Sequence, residues 1–259
     1  MLKILFIVLL LMTLPCEVWA VNYCDDADIK ACFDFDSYSL VDVSGTVGNI
    51  TNNGAAQEGS DCPANSSGEC FDLELDDSDY MVIADDSDID FADEDFTVCA
   101  WVKPETITGR LWIKGWDGAS GVRYDAYIVN DDDLGGAVDD NANKTFCNDT
   151  TPAWSGGCDL VCTTRDVAAN DLDVWIDGVN QCNATDITGS IAGQNSADLI
   201  IGANQTSASQ PSGDYYDGFI GGFYIWERVL SAAEMIDIAA NGIGITYGAP
   251  ATRRIMTVQ

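Results

Sequence analysis

Histidine is absent from the 259-residue chain. Its absence excludes Ser-His-Asp and Cys-His nucleophiles, histidine-ligated zinc and acid–base catalysis by imidazole. Basic residues are also scarce, with 11 lysines and arginines against 43 aspartates and glutamates. The resulting formal charge of −32 makes nucleic acids and other polyanions unsuitable partners, and any catalysis would have to depend on carboxylates.

Long apolar runs are missing after the first twenty residues. That first segment combines Lys3, an apolar run from Leu5 to Leu14, and an ending, Val18-Trp19-Ala20, of the kind that signal peptidases cleave. We therefore expect a signal peptide at residues 1–20 and a secreted protein, with no membrane insertion after cleavage. Residues 21–250 are expected to form one domain, followed by a flexible tail at 251–259.

Cysteine, in contrast, is plentiful. Ten cysteines occur, nine of them after the leader, and none belongs to a Cys-X-X-Cys pair, so disulfide bonds are a simpler expectation than zinc. Cys62 and Cys70 enclose a short loop that contains proline and glycine, and we predict that they pair. Cys99 lies inside the apolar run Phe96–Val102 and is predicted to be a buried free thiol. The odd number leaves at least one thiol unpaired or bonded to another chain, so an oligomer stays an open alternative.

Short apolar or alternating runs, bounded by glycine, asparagine, aspartate and serine, recur along the chain. Eight of them are predicted to be strands: Asp79–Ile83, Phe96–Val102, Arg110–Lys114, Tyr124–Val129, Asp159–Thr164, Leu172–Ile176, Asp198–Ile201 and Gly222–Trp226. A helix is predicted over Ala232–Ala240, because Ser231 and Glu234 form a capping-box pair and Asn241-Gly242 ends the run. Asp177-Gly178 predicts a tight turn. Many short strands without helices between them indicate an antiparallel sandwich.

A set of segments also occurs in an order that is typical of one family. They are Gly68–Leu75 leading to Tyr80–Ile83, then Phe96–Pro104, the pair Leu160–Asp166 and Leu172–Gly178, and finally Asp217–Ile220 through Ile225, Arg228, Leu230-Ser231 and Glu234. This set resembles laminin G-like domains of the concanavalin A-like lectin/glucanase jelly-roll superfamily, from Ala31 to about Gly242. The resemblance implies an all-β, two-sheet antiparallel jelly-roll sandwich with one short C-terminal helix. It also implies a function, because domains of this superfamily mostly bind glycans or proteins, often with a calcium ion.

The resemblance and the abundance of aspartate, 35 against 8 glutamates, together lead us to suspect a calcium site. Asp36, Asp42 and Asn49 lie in segments that resemble the first loops of the family, and Asp217 would approach from the closing strand. Gly221-Gly222 stands where such domains usually carry an Asp-Glu pair. The alternative is that these aspartates are turn formers on a solvated acidic surface.

Sugar binding calls for exposed aromatic rings with polar neighbours, because a pyranose face stacks on a ring while its hydroxyls need hydrogen bonds. Trp116, between two predicted strands, and Tyr215-Tyr216, before the closing strand, are the candidates, although packing is the alternative role of Trp116. Three other tryptophans lie within predicted strands and are expected in the core: Trp101, Trp175 and Trp226. Six Asn-X-Ser/Thr sequons occur, which matter only if the host glycosylates exported proteins.

The function favoured by the sequence is that of a secreted, non-catalytic carbohydrate-binding or adhesion module, assisted by calcium. Its partner is expected to be a glycan or an extracellular protein. The first alternative is a structural or assembly protein of an extracellular layer, fibre or virion. The second is a polysaccharide-active enzyme of the same fold; against it, Glu74-Leu-Asp76 lacks the second glutamate of the glucanases, and the lyases of this fold generally use histidine.

Overall fold

A computed structural model describes residues 22–59, 68–106, 108–116, 121–129, 133–192, 196–207 and 210–243. The predicted signal peptide and C-terminal tail lie outside these residues, as do Cys62 and the sequon at Asn65. Among the described residues, no helix has the length and apolar character that crossing a membrane requires.

Two antiparallel sheets form the protein, as the sequence predicted. The first sheet has the order β13-β12-β11-β6-β17-β4-β3, and one further strand, β1, also pairs with β17. Its strands, among the described residues, are β1 (Ile29–Phe33), β3 (Ala56–Glu58), β4 (Cys70–Leu73), β6 (Phe96–Pro104), β11 (Asp159–Asp166), β12 (Asp171–Ile176), β13 (Val179–Thr185) and β17 (Gly218–Trp226).

The second sheet faces the first and has the order β10-β9-β8-β7-β14-β5-β2. Its strands, within the part of the chain that the structure describes, are β2 (Ile50–Asn53), β5 (Tyr80–Ile83), β7 (Gly109–Gly115), β8 (Val122–Val129), β9 (Asp133–Asp140), β10 (Lys144–Asp149) and β14 (Leu199–Ile201). A small hairpin, β15 (Gln205–Ser207) with β16 (Gln210–Pro211), completes the strands. The main core lies between the sheets, where Trp112 of β7 meets Phe223 of β17 edge to face with ring centroids 5.8 Å apart.

A second apolar layer covers the outer face of the first sheet. Along β6, Val98 and Ala100 belong to the main core while the alternating residues Cys99 and Trp101 belong to this outer layer, as the two-residue period of a strand requires. The helix α1 (Ala232–Asn241) packs on this face. Ser231 and Glu234 form the predicted capping box, and both of its hydrogen bonds between side chain and backbone are present.

All eight predicted strands are confirmed, with bounds that differ by a few residues. The strands that sequence patterns missed among the described residues include β9, β10 and β13, which are rich in glycine or polar residues. Glycine in β9 has a packing reason, since a Cβ on Gly136 would lie 2.9 Å from a methyl of Thr163 in the opposite sheet. Asp177 and Gly178 both have positive φ, which confirms the tight turn between β12 and β13.

Disulfide bonds join Cys24 to Cys32, Cys99 to Cys162 and Cys147 to Cys182. The prediction that Cys99 is a free thiol is therefore wrong. Cys99 lies directly opposite Cys162 on the neighbouring strand β11, a pairing that the sequence could not reveal because the two are 63 positions apart. Cys70 is disulfide-bonded. Its predicted partner, Cys62, lies outside the described residues, so that pairing stays a prediction.

Two of the three tryptophans that were predicted to lie in the core do so. Trp101 and Trp226 are buried, with 3% and 0% of their surface exposed. Trp175 is half-buried at the outer layer, and its indole N–H donates to the Thr164 hydroxyl at 3.1 Å. The strand positions of these three tryptophans were enough to place them against apolar neighbours.

Candidate functional site

A pocket opens at one end of the first sheet, where β6 ends and β11 begins. The register places Val102 of β6 opposite Asp159 of β11, so the two chain segments that follow and precede these strands meet there. We call the resulting cavity, of about 190 Å³, the Trp154 pocket; it is lined by Pro104, Glu105, Thr106, Trp154, Gly156, Gly157 and Asp159.

The loop that carries Trp154 connects β10 to β11 and is fixed by its own hydrogen bonds. The backbone N–H of Ser155 donates to both carboxylate oxygens of Asp159, at 3.1 and 3.3 Å. The N–H of Gly157 donates to the Ser155 hydroxyl at 3.0 Å, and Gly156 has a φ of +78°, which favours glycine. This turn leaves the Trp154 indole half-buried at the pocket wall.

Asp159 is the buried polar group of the pocket, with 1% of its surface exposed. Burial raises the pKa of its carboxyl, hydrogen bonds from Ser155 oppose that shift, and the charge of Asp177 adds to it. The pocket therefore combines an aromatic ring, two glycines that admit a ligand close to the backbone, and carboxylate and hydroxyl groups. Such a set can stack one sugar ring and bind its hydroxyls.

Carboxylates gather beside the pocket, at the adjacent end of β4. Asp72, Glu74 and Glu105 each offer one carboxylate oxygen, and these oxygens all lie within 4.8 Å of one another; we call these three residues the acidic cluster. Asp217 adjoins it, because its backbone carbonyl accepts from the N–H of Glu105 at 2.9 Å and its side chain accepts from the N–H of Leu75 at 3.3 Å. Glu105 therefore belongs to both the acidic cluster and the Trp154 pocket.

The carboxylates of the acidic cluster repel one another. Burial, followed by repulsion from Glu74, Glu105, Glu58 and Asp217, raises the pKa of Asp72 to about 6. Partial desolvation and the same crowding, chiefly from Asp217 and Glu105, raise the pKa of Glu74. Asp72 also has a buried Oδ1 atom for which the described part of the chain provides no hydrogen-bond partner.

The cluster fits a calcium ion by distance and by donor type. Calcium takes hard oxygen ligands at about 2.4 Å, so two ligand oxygens of one ion are at most about 4.8 Å apart. The three carboxylate oxygens satisfy that limit. A bound cation would also satisfy Oδ1 of Asp72, which accepts no hydrogen bond from the described residues.

The predicted metal ligands are not brought together. Asp42 accepts hydrogen bonds from the backbone N–H groups of Cys32, Ser44, Thr46 and Val47 and from the Ser44 hydroxyl, so its carboxylate organises a loop. Its own N–H donates to Asn49 Oδ1 at 3.4 Å. Asp36 lies in a separate turn, where its N–H donates to Asp34.

Asp217 adjoins the acidic cluster instead. Among the described residues, Asp36, Asp42 and Asp217 do not form a group of carboxylates close enough to share an ion. The set Asp36, Asp42, Asn49 and Asp217 is therefore not a single coordination site. Only Asp217 of the four lies at the place where carboxylates gather.

The predicted sugar-binding aromatics have three different environments. Tyr216 is fully buried in the main core, so the prediction that it contacts a ligand is wrong. Tyr215 is half-buried and packs against Ile113 and Ile200 on the outer face of the second sheet. Trp116 is half-buried after the end of β7 and does not line the Trp154 pocket.

Sequence reasoning missed the residues that line the pocket. Trp154, Gly156 and Gly157 stand together in the segment Trp154-Ser-Gly-Gly157, which ends two positions before the first residue of a predicted strand. An aromatic residue followed by two glycines in a loop is a local signal that could have identified the pocket wall. Glu105 carries no such signal, because it approaches Trp154 only through the pairing of β6 with β11.

Comparison with solved structures gives the same fold at low sequence identity. Domain 4 of AbnA, an extracellular GH43 arabinanase from Geobacillus stearothermophilus solved with arabinotriose, has a TM-score of 0.60 and 18% identity, over 82% of this chain and 98% of that one. A Ruminococcus gnavus sialidase CBM40 bound to sialyllactose has a TM-score of 0.51 and 13% identity, over 73% and 98%.

Larger toxin domains share the fold as well. The binding domain of Paraclostridial Mosquitocidal Protein 1 has a TM-score of 0.61 and 13% identity over 83% of this chain. The match spans only 52% of that domain, about half its length. No curated protein matches the sequence.

These sequence identities are too low to establish which family the chain belongs to, but a match to a family model does establish it. The model described as the concanavalin A-like lectin/glucanases superfamily, a laminin G-like family, matches residues 75–235, more than half of the chain. The matched stretch begins just after β4 and ends in α1, and so includes most strands of both sheets. The chain is therefore a member of the laminin G-like family of the concanavalin A-like lectin/glucanases superfamily.

Proposed function

We propose that this protein is a secreted, non-catalytic carbohydrate-binding module that holds a sugar in the Trp154 pocket and calcium at the acidic cluster. The observation that carries the proposal is the half-buried indole of Trp154 beside the buried carboxylate of Asp159. The cavity of about 190 Å³ is smaller than the roughly 300–1,000 Å³ of pockets for drug-sized ligands. It therefore suits a single sugar unit, the end or a branch of a glycan.

The comparisons support a glycan as the partner. Two structures with the same fold were solved with arabinotriose and with sialyllactose. The disulfide bonds among the described residues support export, because such bonds persist in oxidising compartments. A non-catalytic role is supported by the absence of histidine and by neighbours that are binding domains.

Replacing Trp154 by alanine is expected to weaken binding of the cognate glycan at least tenfold. Buried tryptophan contacts commonly contribute about 2 kcal/mol or more to binding, and about 1.4 kcal/mol corresponds to a factor of ten. A glycan array would identify the ligand, and calorimetry on the wild type and variant would measure the change. Circular dichroism must show that the variant is folded, because Trp154 also packs against the core.

Trp116→Ala is the matched control, since Trp116 is also half-buried but lies outside the pocket. If Trp116→Ala abolishes binding and Trp154→Ala does not, the sugar binds elsewhere. A protein that binds no sugar on the array and forms multimers would instead support the structural or assembly role.

Calcium is expected to raise the melting temperature more than sodium at the same ionic strength. A ligand at 100 times its Kd stabilises the folded state by about 2.7 kcal/mol, which corresponds to several degrees for a domain of this size. Asp72→Asn should remove most of the increment, because it takes one charged ligand from the acidic cluster. Scanning calorimetry with calcium and with chelator measures the effect.

Asp36→Asn serves as the control for location. Asp36 belongs to the predicted set but not to the acidic cluster, so its replacement should leave the calcium increment in place. If Asp36→Asn loses the calcium-dependent rise in melting temperature and Asp72→Asn keeps it, the ion binds at the loop after β1 instead. No increment in the wild type would contradict calcium binding altogether.

A further inference from the structure

Sequons for N-linked glycosylation are more frequent than chance predicts. The chain has fifteen asparagines, and serine and threonine make up 33 of its 259 residues. By chance, about two of the asparagines would therefore be followed two positions later by serine or threonine. Six asparagines have this arrangement: Asn49, Asn65, Asn143, Asn148, Asn183 and Asn204.

Three of the six lie along one edge of the sandwich. Asn143 is in the turn before β10, Asn148 is in β10, and Asn183 is in β13. All three asparagines are exposed to solvent. Strands β10 and β13 are the edge strands of the two sheets on the same side of the protein.

The disulfide Cys147–Cys182 joins these two edge strands. Asn148 and Asn183 are each the next residue after one of the bridged cysteines. Because side chains alternate along a strand, both asparagines point away from the bridge that the cysteines form towards the interior. The bridge is thus flanked by an asparagine on either sheet.

The hydrogen bonds of these asparagines are compatible with a sugar on Nδ2. Asn148 uses its Oδ1 to accept from the Tyr127 hydroxyl at 2.6 Å, which leaves Nδ2 outside this contact. Asn183 donates from Nδ2 to Asp173 at 2.7 Å, and Asn143 donates to Asp140 at 3.5 Å. Since a glycosylated Nδ2 keeps one proton, either donor bond can persist.

Asn204 has the opposite environment. It is 7% exposed, its Nδ2 donates to Asp214 at 2.9 Å, and its Oδ1 accepts from the N–H of Gln205 at 2.8 Å. An oligosaccharide on Nδ2 would have no space beside these contacts. The fold therefore separates sequons that can carry a glycan from one that cannot.

We propose that Asn143, Asn148 and Asn183 carry N-linked oligosaccharides that cover the edge formed by β10 and β13. In the modification, Asn Nδ2 attacks the anomeric carbon of an oligosaccharide attached to a lipid diphosphate, with a host transferase as the catalyst. The bond from nitrogen to the anomeric carbon forms as the bond from that carbon to the diphosphate oxygen breaks. The lipid diphosphate leaves with the electron pair, and Nδ2 loses one proton.

The glycans would protect this edge from pairing with other chains. An edge strand presents unpaired backbone N–H and C=O groups, which can pair with another chain. Within the described residues, β10 pairs only with β9 and β13 only with β12. Bulky, hydrated sugars beside both strands would prevent such pairing between copies of the protein.

The test is expression of the full chain, with its own leader, in a eukaryotic secretory host. Peptide-N-glycosidase treatment in heavy-oxygen water marks each occupied asparagine by its conversion to labelled aspartate, read by mass spectrometry. Labelling at Asn143, Asn148 and Asn183, and none at Asn204, is expected in the folded secreted protein. Absence of label at the three sites, or label at Asn204, overturns the proposal.

Thr150 provides a matched pair of variants for Asn148. Thr150 is exposed, so Thr150→Ala removes the sequon without touching the bond between Asn148 and Tyr127, while Thr150→Ser keeps it. Light scattering then tests the covering role: the glycosylated protein should stay monomeric and the triple variant Asn143→Gln, Asn148→Gln, Asn183→Gln should self-associate. A triple variant that stays monomeric at the same concentration overturns that role.

Discussion

Replacing Arg165 by methionine is expected to lower the free energy of unfolding by about 3–5 kcal/mol, because it leaves a buried carboxylate without its cation. Arg165 is 2% exposed, and its Nε lies 2.8 Å from Asp186, which is 6% exposed. Its other nitrogens donate to the carbonyls of Gly189 and Ala92, at 2.8 and 3.1 Å. One side chain in β11 thus holds the segment after β13 and the segment before β6.

The loss should depend on pH. Burial alone would raise the pKa of Asp186, but hydrogen bonds from Thr188 and Arg165 outweigh it and hold that pKa below its usual value. A lowered carboxyl pKa gives stability that is present above the unfolded-state pKa of about 4 and is lost as the pH falls through the folded-state value. The difference between wild type and variant should therefore be large at pH 7 and smaller at pH 3.

Urea unfolding at the two pH values measures this difference. The control is the double variant Arg165→Met with Asp186→Leu, which removes both charges and should recover most of the lost stability. A single variant as stable as the wild type at pH 7 would show that the ion pair contributes nothing. A double variant as unstable as the single one would assign the loss to packing instead.

Removing the disulfide between Cys147 and Cys182 is expected to cost about 4 kcal/mol of unfolding free energy. The two cysteines are 35 positions apart, and in the chain-entropy model closing a loop of that length restricts the unfolded chain by about this amount. The bridge also joins strands of different sheets, and among the described residues β10 and β13 are not paired by a backbone ladder. The double variant Cys147→Ala, Cys182→Ala tests it by thermal and urea unfolding.

Cys24→Ala with Cys32→Ala is the comparison. These cysteines are only 8 positions apart, so the same model gives about 2.5 kcal/mol. The order of the two losses is the informative result. Equal losses, or a larger loss for the short loop, would show that native contacts rather than loop entropy determine the contribution of each bridge.

Local patterns predicted the elements of this protein well. Each predicted strand carries an apolar or alternating run, and the period of two alone separates Val98 and Ala100 from Cys99 and Trp101. The strands β9 and β10 were not predicted, because their residues fit contacts across the sandwich and have little strand propensity of their own.

The functional site was far less predictable. Tyr215 and Tyr216 are neighbours in the sequence, yet Tyr216 is fully buried and Tyr215 is half-buried. Asp42 and Asp72 are both acidic residues in a chain with many others, and only their surroundings distinguish a loop former from a member of the acidic cluster. Composition cannot make that distinction, because it depends on which donors lie nearby.

The sequence by itself determined the class of fold, the helix with its capping box, the tryptophans of the core and the exclusion of histidine chemistry. These properties follow from residue types and from periods of two or a few residues, which act locally. Only the tertiary structure decided that Glu105 lies near Asp72 and lines the same pocket as Trp154, and that Cys99 pairs with Cys162. Those contacts join residues that are 30 to 60 or more positions apart, and strand order and register, set by the whole core, bring them together.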